Sequence, residues 1–90
     1  MVKTILTLKD IVDVLTEFDV IHVDDLSPYG VCSFEARRIC LANDMRLNTK
    51  RRTIIHEAYH ALAYLNNLKD TEKAAKEIER RTFNRYYGKR

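Results

Sequence analysis

Ninety residues are expected to form one domain, residues 1–90, with a small hydrophobic core and a narrow stability margin. With 46% hydrophobic and 32% charged residues, two Gly and one Pro, the composition excludes a long disordered or low-complexity segment. No run of about 18 apolar residues occurs, and no charged start leads into an apolar stretch, so neither a membrane span nor a secretory signal is expected and the chain reads as cytoplasmic.

In that compartment Cys32 and Cys40 are expected as reduced thiols. The net charge of +3 is unevenly spread: residues 1–27 carry −4 and residues 28–90 carry +7. The basic part either meets an acidic or phosphorylated partner or is a solvated surface.

Taken in order, the chain first predicts a helix capped by Thr7, with Asp10 three residues on in a capping-box arrangement. Leu8, Ile11, Val12, Val14, Leu15 and Phe18 recur at helical spacing and would bury that helix as a lid. Val20–Val23 is a β-prone run in which Ile21 and Val23 share one face, Val20 and His22 the other. Ser27-Pro28-Tyr29-Gly30 is the clearest turn. Val31–Glu35 and Arg38–Ala42 then read as a hairpin turning at Ala36 and Arg37, with Phe34 opposite Ile39, Cys32 opposite Leu41 and Glu35 opposite Arg38. In that register the two cysteines lie on opposite faces.

The next helix, with Asn48 or Thr49 as cap, carries the chemistry. His56, Glu57 and His60 form His-Glu-x-x-His, and residues four apart on a helix lie one above the other. The two imidazoles can therefore share a divalent ion, and a third carboxylate leaves a position open, the pattern of catalytic zinc. Glu57 is placed to take a proton from water rather than to ligate. The plainer alternative is a pair of solvated or core histidines. Lys50, Arg51 and Arg52 fall where the helix dipole disfavours cations, so an offsetting contact is expected unless they bend into water.

Asn66-Asn67 ends this helix, and Asp70 or Thr71 caps a last one reaching about Tyr86. Its apolar stripe is Ala75, Ile78, Phe83 and Tyr86. Glu79 lies amid that stripe, where a carboxylate is costly unless paired or metal-bound, so it is the favoured third ligand; Glu72 follows, and Glu77 remains a further choice.

This order of elements resembles the gluzincin class of zinc peptidases, and within it the small ImmA/IrrE family. Members are similar in Ile39-Cys40-Leu41-Ala42-Asn43, a short strand ending in Asn, and in Arg52-Thr53-Ile54-Ile55-His56-Glu57 with His60. The family's Glu-Ala-Asn-x-Phe becomes Glu79-Arg80-Arg81-Thr82-Phe83 here, and a Gly common before the second His is Tyr59.

The resemblance implies a minimal α+β zincin: an N-terminal helix, a small antiparallel sheet of about three strands, the His-Glu-x-x-His helix and a C-terminal helix. It also implies zinc as cofactor, with Glu57 as base for hydrolysis of a peptide bond in a protein partner such as a helix-turn-helix repressor, often carried by phages or mobile elements. The substrate would lie as an added strand near Arg38–Ala42. Tyr59, Tyr86, Tyr87 and His22 are the candidates for oxyanion stabilisation. The alternative is a non-catalytic binding module using the basic, aromatic tail Arg80–Arg90 on nucleic acid or a regulator; that use of the tail is not favoured.

Overall fold

A computed structural model describes residues 4–26 and 29–88. The elements are α1 (Leu8–Glu17), β1 (Asp19–Val23), β2 (Gly30–Ser33), β3 (Arg38–Ala42), α2 (Leu47–Asn66) and α3 (Glu72–Tyr87). This is the expected α+β layout of a helix, three strands and two helices. Among the described residues no helix is long and apolar enough to cross a membrane. Ser27 and Pro28 of the expected turn lie outside the described residues.

Thr7 and Asp10 form the expected capping box at the start of α1, each side chain accepting from the other's backbone N–H. Only part of the apolar stripe is covered, however. Val14 and Phe18 are buried, whereas Leu8, Val12 and Leu15 face solvent.

The sheet corrects the antiparallel expectation: its order is β1-β3-β2, β2 pairs antiparallel with β3, and β1 pairs parallel with β3. The hairpin forces the first pairing, and β3 then fills the slot beside β1 running in the same direction. β3 is therefore central and has no free edge for an added strand, contrary to the expected substrate position. The edges are β1 and β2.

The hairpin register is shifted by two residues from expectation, with Cys32 opposite Ile39 and Ser33 opposite Arg38. A two-residue turn at Ala36-Arg37 would need two positive-φ positions, which only residues such as Asn-Gly adopt readily. The chain instead uses the four residues 34–37, with Arg37 alone at φ 53°. Because the shift is even, the faces are unchanged. Ile39 and Leu41 point into the core, and Cys32 and Cys40 sit on opposite faces as free thiols.

Helix α2 is the hub, packed by α1, α3, β2 and β3. Ala58, Ala61 and Ala63 are all but inaccessible, and their small side chains let the neighbours approach on several sides at once. The helix starts before the expected cap, at Leu47, with Arg46 as a cap residue that offers no side-chain bond. Asn48 instead accepts from the Arg51 guanidinium at 3.2 Å. Asn67, in the left-handed conformation, ends α2, and the Thr71 side chain caps α3 by accepting from the Ala74 N–H.

Helix α3 lies along α2 with Ala75, Ile78, Thr82 and Phe83 buried; Tyr86, expected in that stripe, is half exposed at its end. The Thr82 hydroxyl accepts from the Leu6 N–H at 2.9 Å, fastening the N-terminal segment to α3.

Candidate metal centre

His56 and His60 project from one face of α2 as their spacing requires, with side chains only 15% and 13% exposed. Their Nε2 atoms lie 3.3 Å apart. Two nitrogens about 2.0–2.1 Å from one tetrahedral ion would be about 3.3–3.4 Å apart.

Each ring is held from behind by a carboxylate. His56 Nδ1 is 2.9 Å from Glu79 Oε1, and His60 Nδ1 is 2.6 Å from Asp70 Oδ1. An ionised carboxylate only accepts, so both Nδ1 atoms carry the proton and both Nε2 atoms present lone pairs to the gap. Glu72 closes that gap from the first turn of α3, with Oε1 3.0 Å from His56 Nε2 and Oε2 2.9 Å from His60 Nε2. Three lone-pair groups thus converge, and they repel one another unless positive charge lies between them, as a metal ion or as further protons on the rings.

The carboxylate at this convergence is Glu72, not the favoured Glu79. Among the described residues, His56, His60 and Glu72 are the group whose donor atoms come together. Periodicity singled out Glu79 correctly as an inward-facing carboxylate with a partner, but that partner is the far side of the His56 ring. Glu72 is 69% exposed and so carried no burial signal in the sequence. Glu77 is elsewhere, on Arg80 at 2.8 Å. Asp70, expected only as a helix cap, holds a histidine instead.

Glu57 lies beside the cluster, buried. It makes no hydrogen bond or ion pair among the described residues. Burial pushes its carboxyl above the usual glutamate range, only partly opposed by His56 and His60. It faces a cleft of about 850 Å³ lined by both histidines, Asp70, Glu72, Lys76 and Glu79 on the helix side and by Tyr29–Cys32 and Phe34 on the other.

Strand β2 can lie this close because residue 30 is Gly: a Cβ there would stand 2.5 Å from Thr53 Cγ2 and 3.0 Å from Glu57 Cγ. The edge strand is thereby set directly over Glu57. Cys32 shares the cleft wall, its thiol pushed up to about 12 by burial and then by the Glu57 charge, so it is a neutral, poorly reactive group.

None of the four oxyanion candidates lines the cleft. The Tyr59 hydroxyl is buried and donates to the Lys69 carbonyl. Tyr86 and Tyr87 are at the far end of α3, and His22 is exposed on β1. The tyrosine among the residues lining the cleft is Tyr29, which the sequence offered only as a turn residue.

Two of the three bases near the start of α2 are not simply solvated. Arg51 stacks over the Tyr87 ring at 4.1 Å and Arg52 over Phe83 at 3.9 Å, supplying the contact that offsets the dipole. Comparison with protein-family models, curated proteins and solved structures finds no match.

Proposed function

We propose that the chain is a zinc-dependent peptidase whose metal ligands are His56, His60 and Glu72. The observation that carries this reading is the convergence of two imidazole lone pairs and a carboxylate beside a buried, unpaired Glu57 under a sheet edge. The donor set suits zinc: two neutral nitrogens and one oxygen, with both rings oriented by carboxylates behind them. Zinc held there supplies Lewis acidity toward a carbonyl oxygen and a water.

The rest of the chemistry belongs to the chain. Glu57 accepts a proton from the attacking water and returns it to the leaving nitrogen as the C–N bond breaks. Its raised affinity for a proton suits both halves of that task. Tyr29, on the cleft rim, is the phenol available to donate to the developing oxyanion.

Strand β2 has one edge paired with β3 and the other beside the cleft, so an extended peptide can add there as a further strand. Few subsites fit in a domain of this size, and productive geometry then depends on docking of a particular partner. Selective cleavage of one protein follows. The family resemblance points to a regulator such as a helix-turn-helix repressor.

The test begins with metal content of protein purified without added metal, expected at one zinc per chain and lost in His60→Ala. Zinc-loaded protein is then incubated with casein and with co-encoded regulators, and fragments are read by mass spectrometry against Glu57→Gln. One cleavage site in one partner, with casein intact, is the expected outcome. A folded protein with no affinity for divalent metal would overturn the proposal.

A further inference from the structure

We infer that the outer side of α3, with the adjoining start of α2, is a contact surface for single-stranded nucleic acid, read without sequence preference. Lys73, Lys76, Arg80 and Tyr87 are spaced three, four and seven residues apart, which aligns them along one side of α3. Lys69 precedes them and lines the same shallow groove as Lys73, Lys76 and Arg80. From Lys73 to Tyr87 the helix rises about 21 Å, the axial length of about six nucleotides in one duplex strand.

The groove is positive on balance: Lys69, Lys73, Lys76 and Arg80 line it against a single acid, Glu77. Asp70, Glu79 and the largely exposed Glu72 contact the histidines, while Glu77 pairs with Arg80 and Arg81, which leaves the three lysines to meet phosphate. Lys69, Lys73 and Lys76 have no ion-pair partner among the described residues. The acids of the N-terminal part, such as Asp13 and Glu17, lie on α1, which makes no contact with α3.

The upper end of the ridge is aromatic. Tyr87 is 47% exposed, with the Arg51 guanidinium over its ring and the Phe83 ring tilted against it at 5.5 Å. Unstacked bases pack on such rings while lysines along the ridge meet phosphates. An acidic protein would match the charge but has no use for the ring faces, and a duplex keeps its bases stacked on each other; a single strand uses both features.

Fluorescence anisotropy with a labelled 20-nucleotide strand of mixed sequence, and with its duplex, over a potassium chloride series tests this. The single strand is expected to bind more tightly than the duplex at low salt, with log affinity falling linearly in log salt. Replacing Lys69, Lys73 and Lys76 together by Ala should reduce the slope by about 2, at about 0.7 for each phosphate no longer neutralised. Tyr87→Leu should weaken binding on the order of tenfold at unchanged slope.

Lys9→Ala on α1 should change nothing, and thermal melts followed by circular dichroism check folding of each variant. Lys76 lines both this groove and the metal cleft, so His60→Ala is the variant that tells the two apart, and it should bind the strand normally. No binding at low salt, or an unchanged slope in the folded triple variant, would overturn the inference. So would displacement by a polyglutamate peptide at equal charge together with indifference to Tyr87→Leu, which would make the partner an acidic protein.

Discussion

The two ends of the α2–α3 pair use the same device to different effect. At one end, rings from α3 lie under guanidinium groups from α2, Tyr87 beneath Arg51 and Phe83 beneath Arg52. At the other, carboxylates from α3 and the loop before it meet imidazoles from α2. The first end is complete: each cation has a ring and access to water. The second is different: Glu79 and Asp70 accept from the Nδ1–H groups, so the Glu72 carboxylate and two Nε2 lone pairs converge, an arrangement that a cation would stabilise. One interface is packing; the other calls for a cation.

The largest expected effects break the second end. Glu57→Gln should retain zinc and fold but lose about 100-fold to 10,000-fold in turnover of a cleaved partner, the usual worth of a positioned proton acceptor. Tyr29→Phe should also lower turnover, without altering zinc affinity. Zinc titration then separates the carboxylates. Glu72→Ala, removing a donor, should cost more than Glu79→Ala or Asp70→Ala, each of which should cost about 10-fold to 100-fold by freeing a ring to turn. If Glu79→Ala proved the worst of the three, the ligand assignment would revert to the one that helical periodicity favours.

Smaller effects test how the ends are built. Gly30→Ala places a methyl group against Thr53 and Glu57 and should destabilise by about 1–3 kcal/mol, measured by urea unfolding. It should also shift β2 off Glu57. Arg52→Ala should cost about 0.5–2 kcal/mol by removing the stack on Phe83 and leave zinc affinity unchanged. A change in zinc affinity there would mean that the two ends are coupled.

The sequence made the helices legible because their signals are local: the Thr7–Asp10 box, the Asn67 stop and the Thr71 cap all act within a few residues. His56, Glu57 and His60 were legible for the same reason, since one turn of helix fixes their relation. What was hidden depends on distant packing. The parallel pairing of β1 with β3 is decided by which slot the hairpin occupies. The loop at residues 34–37 gains from stacking Phe34 on Tyr64, with ring centroids 4.7 Å apart, a partner 30 positions away. Glu72 and Glu79 both face α2, and only the crossing of the two helices decides which carboxylate reaches the Nε2 side and which the Nδ1 side.

The smallest expected effect concerns the proton on Glu57. Burial raises this carboxyl above its unfolded value, so the folded state holds the proton more tightly than the unfolded chain does. The stability linked to that proton is fully present below the ordinary glutamate pKa and is lost as pH rises through the raised, folded value. At pH above that raised value the metal-free protein therefore carries a charged, unpaired carboxylate at a net cost. Glu57→Gln removes the charge and keeps the shape, so in the presence of a chelator it should be more stable than the parent above that pH. The difference should shrink as the solution is acidified through the raised pKa and reach its minimum below the unfolded one. Urea unfolding of both proteins at several pH values between 4 and 8 gives the two curves. Parallel curves would mean that Glu57 is solvated or paired in the metal-free fold, and the contrast between a closed and an open end of the helix pair would then rest on Glu72 and the histidines alone.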